Sequence, residues 1–232
     1  MNLALLSVLK EVTPPVLWKQ AVEIWHRFRR RPLLETVWQE TSTDSDVSYT
    51  NEWFRFQQHY TASPDYFLWS VLVDRLLRCG GRSVLEVGCG AGQLACFLRD
   101  CGITQYIGVD FSKVAIGYAK KACPEFMFNC SDIYESDVLR SWDYDVFIST
   151  EFLEHVPWDT ELLRRLRPGV KVYSTVPNFG GCNHLRYFRD CDEVRQRYGS
   201  IFHDFEVTAL LANRNGKTYY LFQGTKPEDV SD

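Results

Sequence analysis

The stretch Val84-Leu85-Glu86-Val87-Gly88-Cys89-Gly90-Ala91-Gly92 carries the reading of the fold. It is an apolar run that ends in a carboxylate and is followed by glycine at every second position. Glycine at a strand-to-helix turn permits left-handed backbone angles and lets a ligand lie close to the main chain. A dinucleotide-binding turn would read G-x-G-x-x-G, whereas here the third glycine comes one residue early and Gln93 holds the expected place. The spacing points away from a nicotinamide dinucleotide.

Outward from this turn, apolar strand-like runs alternate with helical patterns, the signature of a parallel sheet covered on both faces. Strands are predicted at Ser83-Val87, Gln105-Val109, Phe126-Asn129, Tyr144-Ser149 and Val170-Val176, and helices at about Gly92-Asp100, Lys113-Ala122 and Asp159-Leu166. The end differs in kind. Ile201-Leu211 and Lys217-Gln223 are strand-like and joined through Asn213-Arg214-Asn215-Gly216, whose Asn-Gly pair is a hairpin signal. Residues 63–232 are therefore expected to form an α/β domain: a seven-stranded, mostly parallel sheet with a C-terminal antiparallel hairpin and helices on both faces.

Ahead of the sheet, a helix is expected from about Pro64 to Cys79, approached by Trp53, Phe54, Phe56 and Tyr60. Aromatics at this density line a substrate pocket or fill the seam between helix and sheet. Residues 1–62 read as an N-terminal helical extension and linker. Val16 to Phe28 has the period of an amphipathic helix, ending in the basic run Arg27, Arg29, Arg30 and Arg31. Such a helix either rests on an anionic membrane surface or docks on protein. Glu35 to Asp46 turns acidic and polar, and is expected to be a linker or exposed loop.

Two further carboxylates follow strands in register with Glu86. Asp110, in Ile107-Gly108-Val109-Asp110-Phe111, comes about twenty residues after the glycine turn, where an acid can bind both hydroxyls of a ribose. The alternative is that Asp110, or its rival Ser112, caps the next helix. Asp132, in Asn129-Cys130-Ser131-Asp132-Ile133, offers a carboxylate for an adenine amino group, with Ile133 to lie on the ring.

Glu86 to Gly92, Asp110, Asp132 and Ser149-Thr150-Glu151-Phe152-Leu153-Glu154-His155-Val156 together resemble the motif series of class I, Rossmann-like methyltransferases. The resemblance runs roughly from Tyr66 to Thr225, and the Glu-x-x-Glu-His run is similar to that of ubiquinone-biosynthesis O-methyltransferases. It implies S-adenosylmethionine as cofactor, held by Glu86, Gly88, Cys89, Gly90, Gly92, Asp110, Phe111, Asp132, Ile133 and Thr150. That cofactor has no phosphate and carries an ammonium and a sulfonium, so a carboxylate such as Glu86 helps. Thr150 and Glu151 would lie near the methionine end or the reacting methyl.

Methyl transfer is an in-line displacement, and a base is needed only where the acceptor carries a proton. His155 and His184 are the candidate bases, with Glu151 as a third catalytic candidate; each histidine is otherwise structural. The loop from Val176 to His184, continuing into Arg186 and Tyr187, follows the fifth strand and either brings Asn183, His184, Arg186 and Tyr187 to an acceptor or only packs. Glu151, Glu154, His155 and His184 also resemble the metal-binding set of small-RNA 3′-terminal 2′-O-methyltransferases. The spacing before His184 departs from that pattern, so no metal is expected and RNA methylation stays an alternative, beside a non-catalytic cofactor-binding module.

Composition sets the frame for partners. With 232 residues, 45% hydrophobic and a formal net charge of -4, the chain holds one full core and has no general attraction to nucleic acid. The expected acceptor is a small molecule or a glycan. Leu9 to Leu17 and the basic helix are similar to the N-termini of methyltransferases found with bacterial surface-polysaccharide enzymes, where peripheral membrane contact would be useful. The eight cysteines are spread through core elements with no C-x-x-C pair, which reads as buried free thiols in a cytoplasmic protein. No apolar run approaches the roughly 20 residues needed to span a bilayer.

Overall fold

A strand whose two faces are both covered has no solvent side, and all five residues of β1 (Ser83–Val87) are buried. In the computed structural model, which describes residues 45–228 except 52, 182 and 183, β1 runs parallel to β2 (Gln105–Asp110) on one side. On the other side it pairs with β4 (Val146–Ser149). β3 (Met127–Cys130) extends the sheet beyond β2, and β5 (Lys171–Pro177) lies parallel to β4. β7 (Thr218–Thr225) then pairs antiparallel with β5, and β6 (His203–Leu211) closes that edge against β7. The order is β3-β2-β1-β4-β5-β7-β6, the mostly parallel seven-stranded sheet with an antiparallel C-terminal pair that the sequence predicts.

Alternate residues of β1 feed two separate cores. Leu85 and Val87 pack with Phe147, Leu162, Val172, Phe188 and Tyr198 on one face. Val84 packs with Leu68, Leu72, Leu94, Ile116 and Leu221 on the other. The helices that cover the faces include α1 (Tyr66–Arg78), α2 (Gln93–Asp100) and α3 (Lys113–Ala122). The crossovers lead from β1 outward to β3 and then back past β1 to β4, so the strand order reverses between β1 and β4. In open α/β sheets ligands bind outside the carboxyl ends of strands at such a reversal.

Two helices that lie between strands escape the sequence reading. α4 (Val138–Ser141) is a single turn, and α6 (Cys191–Tyr198) buries only Val194 and Tyr198, too few to print a periodicity. α6 is instead fixed at its start, where Asp190 accepts a hydrogen bond from the Glu193 amide and the Glu193 carboxylate accepts one from the Arg189 amide. α5 (Asp159–Arg164) ends two residues earlier than expected. Residues 45–51 are helical, whereas the sequence places a linker or exposed loop as far as Asp46. The compact unit begins at Ser42, so this segment belongs with the sheet. The amphipathic stretch Val16 to Phe28 lies outside the described residues, and among the described residues no helix is long and apolar enough to cross a membrane.

Cutting Leu85 back opens a cavity beside the central strand. Leu85→Ala should lower stability by about 3 kcal/mol with an unchanged denaturant slope, measured by urea unfolding.

Candidate active site

The glycine turn is shaped by what it lies on. Gly88, Gly90 and Gly92 have φ of 78°, 51° and 79°, the left-handed region where a side chain is strained. The Gly88 and Cys89 amides both donate to the Val109 carbonyl, at 2.8 and 3.2 Å, which folds the turn over the end of β2. A Cβ on Gly92 would stand 3.0 Å from the Ala119 backbone, so the third glycine serves close packing of the turn against α3. The Cys89 side chain points beneath the turn toward Gly108, which leaves its main chain as the part that faces a ligand.

Two buried acids stand under and beside this turn. Glu86 is 1% exposed and accepts a 2.6 Å hydrogen bond from the Tyr106 hydroxyl. Burial pushes its pKa up to about 8, against the pull of that hydrogen bond and with help from the nearby Asp110 charge. Asp110 accepts from the Gly90 amide at 3.0 Å with one oxygen and from the Ser112 amide at 2.8 Å with the other. Burial raises its pKa to about 6, less than burial alone would, because those amide bonds favour the ionised form. Ser112 caps α3 by accepting from the Ala115 amide. The competition between Asp110 and Ser112 for the cap is thus resolved in favour of the serine.

After β3, Asp132 closes its own turn by accepting from the Tyr134 amide at 2.8 Å. Ile133 is 4% exposed and belongs to the core, which leaves little of it to lie on a ring. Phe111 is half-buried at the end of β2.

The end of β4 carries a cluster of acids and imidazoles. Glu151 takes φ of 51°, unusual for a residue with a side chain. Its amide donates to the Thr175 hydroxyl, and that hydroxyl donates back to the Glu151 carboxylate at 3.3 Å. Glu154 is fully buried with its carboxyl facing that of Glu151, and among the described residues neither of its oxygens has a hydrogen-bond partner of good geometry. Burial, together with the two carboxyls facing each other, holds Glu151 well above the usual carboxylate range; burial likewise raises Glu154. The His155 Nε2 lies 4.0 Å from Glu154 Oε1, and the His155 and His184 rings meet edge to face with centroids 4.6 Å apart. His184 Nδ1 lies 3.3 Å from the Phe179 carbonyl, which orients its ring. One ligand atom from each of Glu154, His155 and His184 falls within 4.8 Å of the others.

A family model described as a methyltransferase domain matches residues 84–171. A Mycolicibacterium smegmatis protein named "Probable S-adenosylmethionine-dependent methyltransferase" is 30% identical over 134 residues, which is 55% of this chain and 46% of that protein. The chain carries a class I S-adenosylmethionine-dependent methyltransferase domain. A ubiquinone biosynthesis O-methyltransferase from Idiomarina loihiensis is 31% identical over 162 residues, 57% of this chain and 66% of that one. The chain spans about half the length of the first curated relatives it matches. Among solved structures, a magnesium protoporphyrin IX methyltransferase from Synechocystis with bound S-adenosylmethionine superposes with a TM-score of 0.59. It is 17% identical over 80% of this chain and 97% of that one, a likeness of fold alone.

The methyltransferase domain decides between the two readings of Arg186. That guanidinium is buried and donates to the carbonyls of Leu153, Val156 at 2.6 Å and Pro157 at 3.3 Å, and it pairs with Asp159 at 3.4 Å. Asp159 is also gripped by Arg197 and by the Tyr198 hydroxyl. Arg186 therefore shapes the turn that presents Glu154 and His155 and cannot reach an acceptor. The thiols are also less buried than expected. Cys89 and Cys123 are buried, Cys130 is exposed, and the other four described cysteines are half-buried; all seven are free.

Two groups near the acid cluster escape the sequence reading. The charges of Glu151, Asp65 and Glu154 all act on Tyr219, whose phenol is held well above its usual range by desolvation first and by those carboxylates second. Its ring packs edge to face on Phe179 at 5.4 Å, and the Lys217 ammonium sits 4.6 Å from the centre of the same Phe179 ring. Asp65 precedes α1 and Tyr219 lies on β7, so nothing in the local pattern of either announces their meeting.

For Glu86 the folded chain prefers the protonated carboxyl, so its contribution to stability is complete below about pH 4 and is lost as the pH rises through about 8. Glu86→Gln carries no charge to bury. Without cofactor it should be more stable than the wild type at pH 9 by about 2 kcal/mol, with a smaller gap at pH 6, in thermal melts.

Proposed function

We propose that the chain transfers the methyl group of S-adenosylmethionine to an oxygen or nitrogen of a small-molecule or glycan-type acceptor. The observation that carries this reading is the pairing, at one edge of the sheet, of two sites. One is the Asp110 clasp on the glycine turn. The other is the imidazole pair at the end of β4, the neighbouring reversal of strand order.

The residues fit the cofactor by their chemistry. The turn leaves no room for side chains at Gly88 and Gly90, where a Cβ would stand 2.7 Å from Phe152 and from Tyr49 respectively. The acids around it suit a cationic ligand with a ribose diol and would repel a pyrophosphate. When bound, S-adenosylmethionine supplies an electrophilic methyl group. Its positive charge would favour the ionised form of Glu86, whose buried carboxyl is otherwise held protonated, while Asp110 would bind its ribose and Asp132 would meet its adenine. His155 or His184 would take the proton of a hydroxyl or amine acceptor, and the Arg186 staple would hold His155 in place. Relatives and neighbours with small-molecule names support the acceptor class, namely the ubiquinone biosynthesis O-methyltransferase and a Haemonchus contortus phosphoethanolamine N-methyltransferase of similar fold.

Calorimetry tests the cofactor. Wild type should bind S-adenosylmethionine with micromolar affinity, and Asp110→Ala should lose at least about tenfold through the missing charge-assisted hydrogen bonds. A well-folded wild type that ignores the cofactor would sink the reading. In an acceptor screen, His155→Ala should depress turnover by about 100-fold with little change in cofactor affinity.

One observation favours a second reading of the chemistry at β4. The Glu154 carboxylate is buried without a hydrogen-bond partner of good geometry among the described residues, two imidazoles offer ligand atoms beside it, and the Glu151 carboxyl faces it. A divalent cation held by Glu151, Glu154, His155 and His184 would satisfy it and would lower the pKa of an acceptor hydroxyl. On this reading Mn²⁺ binds the wild type and not Glu154→Gln in a calorimetric titration; silence from the wild type at millimolar Mn²⁺ removes it.

A further inference from the structure

A segment with no part in the reaction lies over the mouth of the cofactor crevice. Residues 45–51 are helical, and Asp46 and Tyr49 stand three apart on them, on one side of the helix. Asp46 reaches the far lip of the crevice, where its Oδ1 accepts from the Ser112 hydroxyl and from the Val114 amide at 3.3 Å. Tyr49 rests on the turn itself, since a Cβ on Gly90 would stand 2.7 Å from its hydroxyl oxygen. Its ring packs on Phe56 with centroids 4.4 Å apart.

Further along, the Gln93 side chain donates to the Gln58 carbonyl at 2.9 Å. The Tyr60 hydroxyl donates to Asp100, and the Tyr60 ring stacks on Phe97. Residues 45–51 are thus pinned to the start of α3, and Gln58 and Tyr60 to α2, with the glycine turn between. The Tyr49 hydroxyl feels the charges of Asp110 and Glu86 and makes no hydrogen bond among the described residues. Desolvation first, and those carboxylates second, hold its pKa well above the usual range, so it remains a protonated donor.

The chemistry of the crevice gives that donor a task. Asp110 and Asp46 make the surroundings acidic, which suits the sulfonium and ammonium of S-adenosylmethionine but opposes the carboxylate of its methionine arm. A neutral hydroxyl resting on the turn can accommodate that one anionic group without adding charge. Resting on the cofactor assignment above, we propose that residues 45–60 form a strap over the bound cofactor, latched by Asp46 on Ser112 and Val114, and that the Tyr49 hydroxyl donates a hydrogen bond to the cofactor carboxylate.

The test compares S-adenosylmethionine with its decarboxylated analogue by calorimetry on wild type and Tyr49→Phe, whose folding is checked by thermal melting. The phenylalanine variant should bind S-adenosylmethionine about tenfold more weakly and the decarboxylated analogue within about twofold of wild type. Hydrogen exchange supplies a second readout: cofactor should slow exchange over residues 45–60 in wild type and much less in Asp46→Ala. Equal affinities of wild type and Tyr49→Phe for S-adenosylmethionine overturn the proposal alone. So does tighter binding by Tyr49→Ala, which would make the phenol an obstruction. Absence of cofactor binding by the wild type overturns the cofactor assignment and this proposal together.

Discussion

The Asp110 carboxylate sits where β2 stops and reaches two backbone amides that belong to different segments, Gly90 in the turn after β1 and Ser112 at the start of α3. Removing that carboxylate from water is costly, and the two amides offset part of the cost while fixing the turn relative to the helix. Everything nearby follows from this clasp. The turn must carry residues that tolerate left-handed angles, α3 must begin at a capping serine, and the main chain of the turn is left facing the crevice. Because the carboxylate that organises the turn is also the one proposed to meet a ribose, local order and ligand recognition would be joined in one side chain.

A comparable economy governs the end of β4. Arg186, Arg197 and Tyr198 converge on Asp159, so that charge is compensated; burial alone would raise its pKa, but the hydrogen bond and the two guanidinium charges hold it below the usual carboxylate range. The turn from Leu153 to Pro157 is thereby held by a paired guanidinium. Glu154, presented by that turn, has no paired guanidinium among the described residues; the His155 imidazole at 4.0 Å and the Glu151 carboxyl stand beside it. The contrast places a frame of paired charges behind an acid that lacks one.

What the sequence made legible was local. The glycine spacing, the acids near the ends of β1 and β2, and the Glu-x-x-Glu-His run all lie within a few residues of the elements that position them, so the strands and the site edge could be read directly. The ends of strands moved by one or two residues, as hydrogen bonding and not hydrophobicity decides them. Arg186 stays open between two readings in the sequence, because a charged residue in a loop at the carboxyl edge of a sheet resembles a ligand contact; only the fold reveals the carbonyls of Leu153, Val156 and Pro157 that surround it. Asp65 with Tyr219, and Tyr49 with Gly90, are meetings of segments far apart in the chain, and no window of sequence contains them.

The left-handed backbone at Glu151 sets two demands against each other. A side chain in that conformation costs about 1–2 kcal/mol relative to glycine, which would fit the turn at ease but bring no carboxylate. The chain keeps the acid and bears the strain, with the Thr175 hydroxyl bracing the peptide from the next strand. At this one position, heat resistance and the presence of an acid are alternatives, so engineering for durability and engineering for chemistry would choose different residues here.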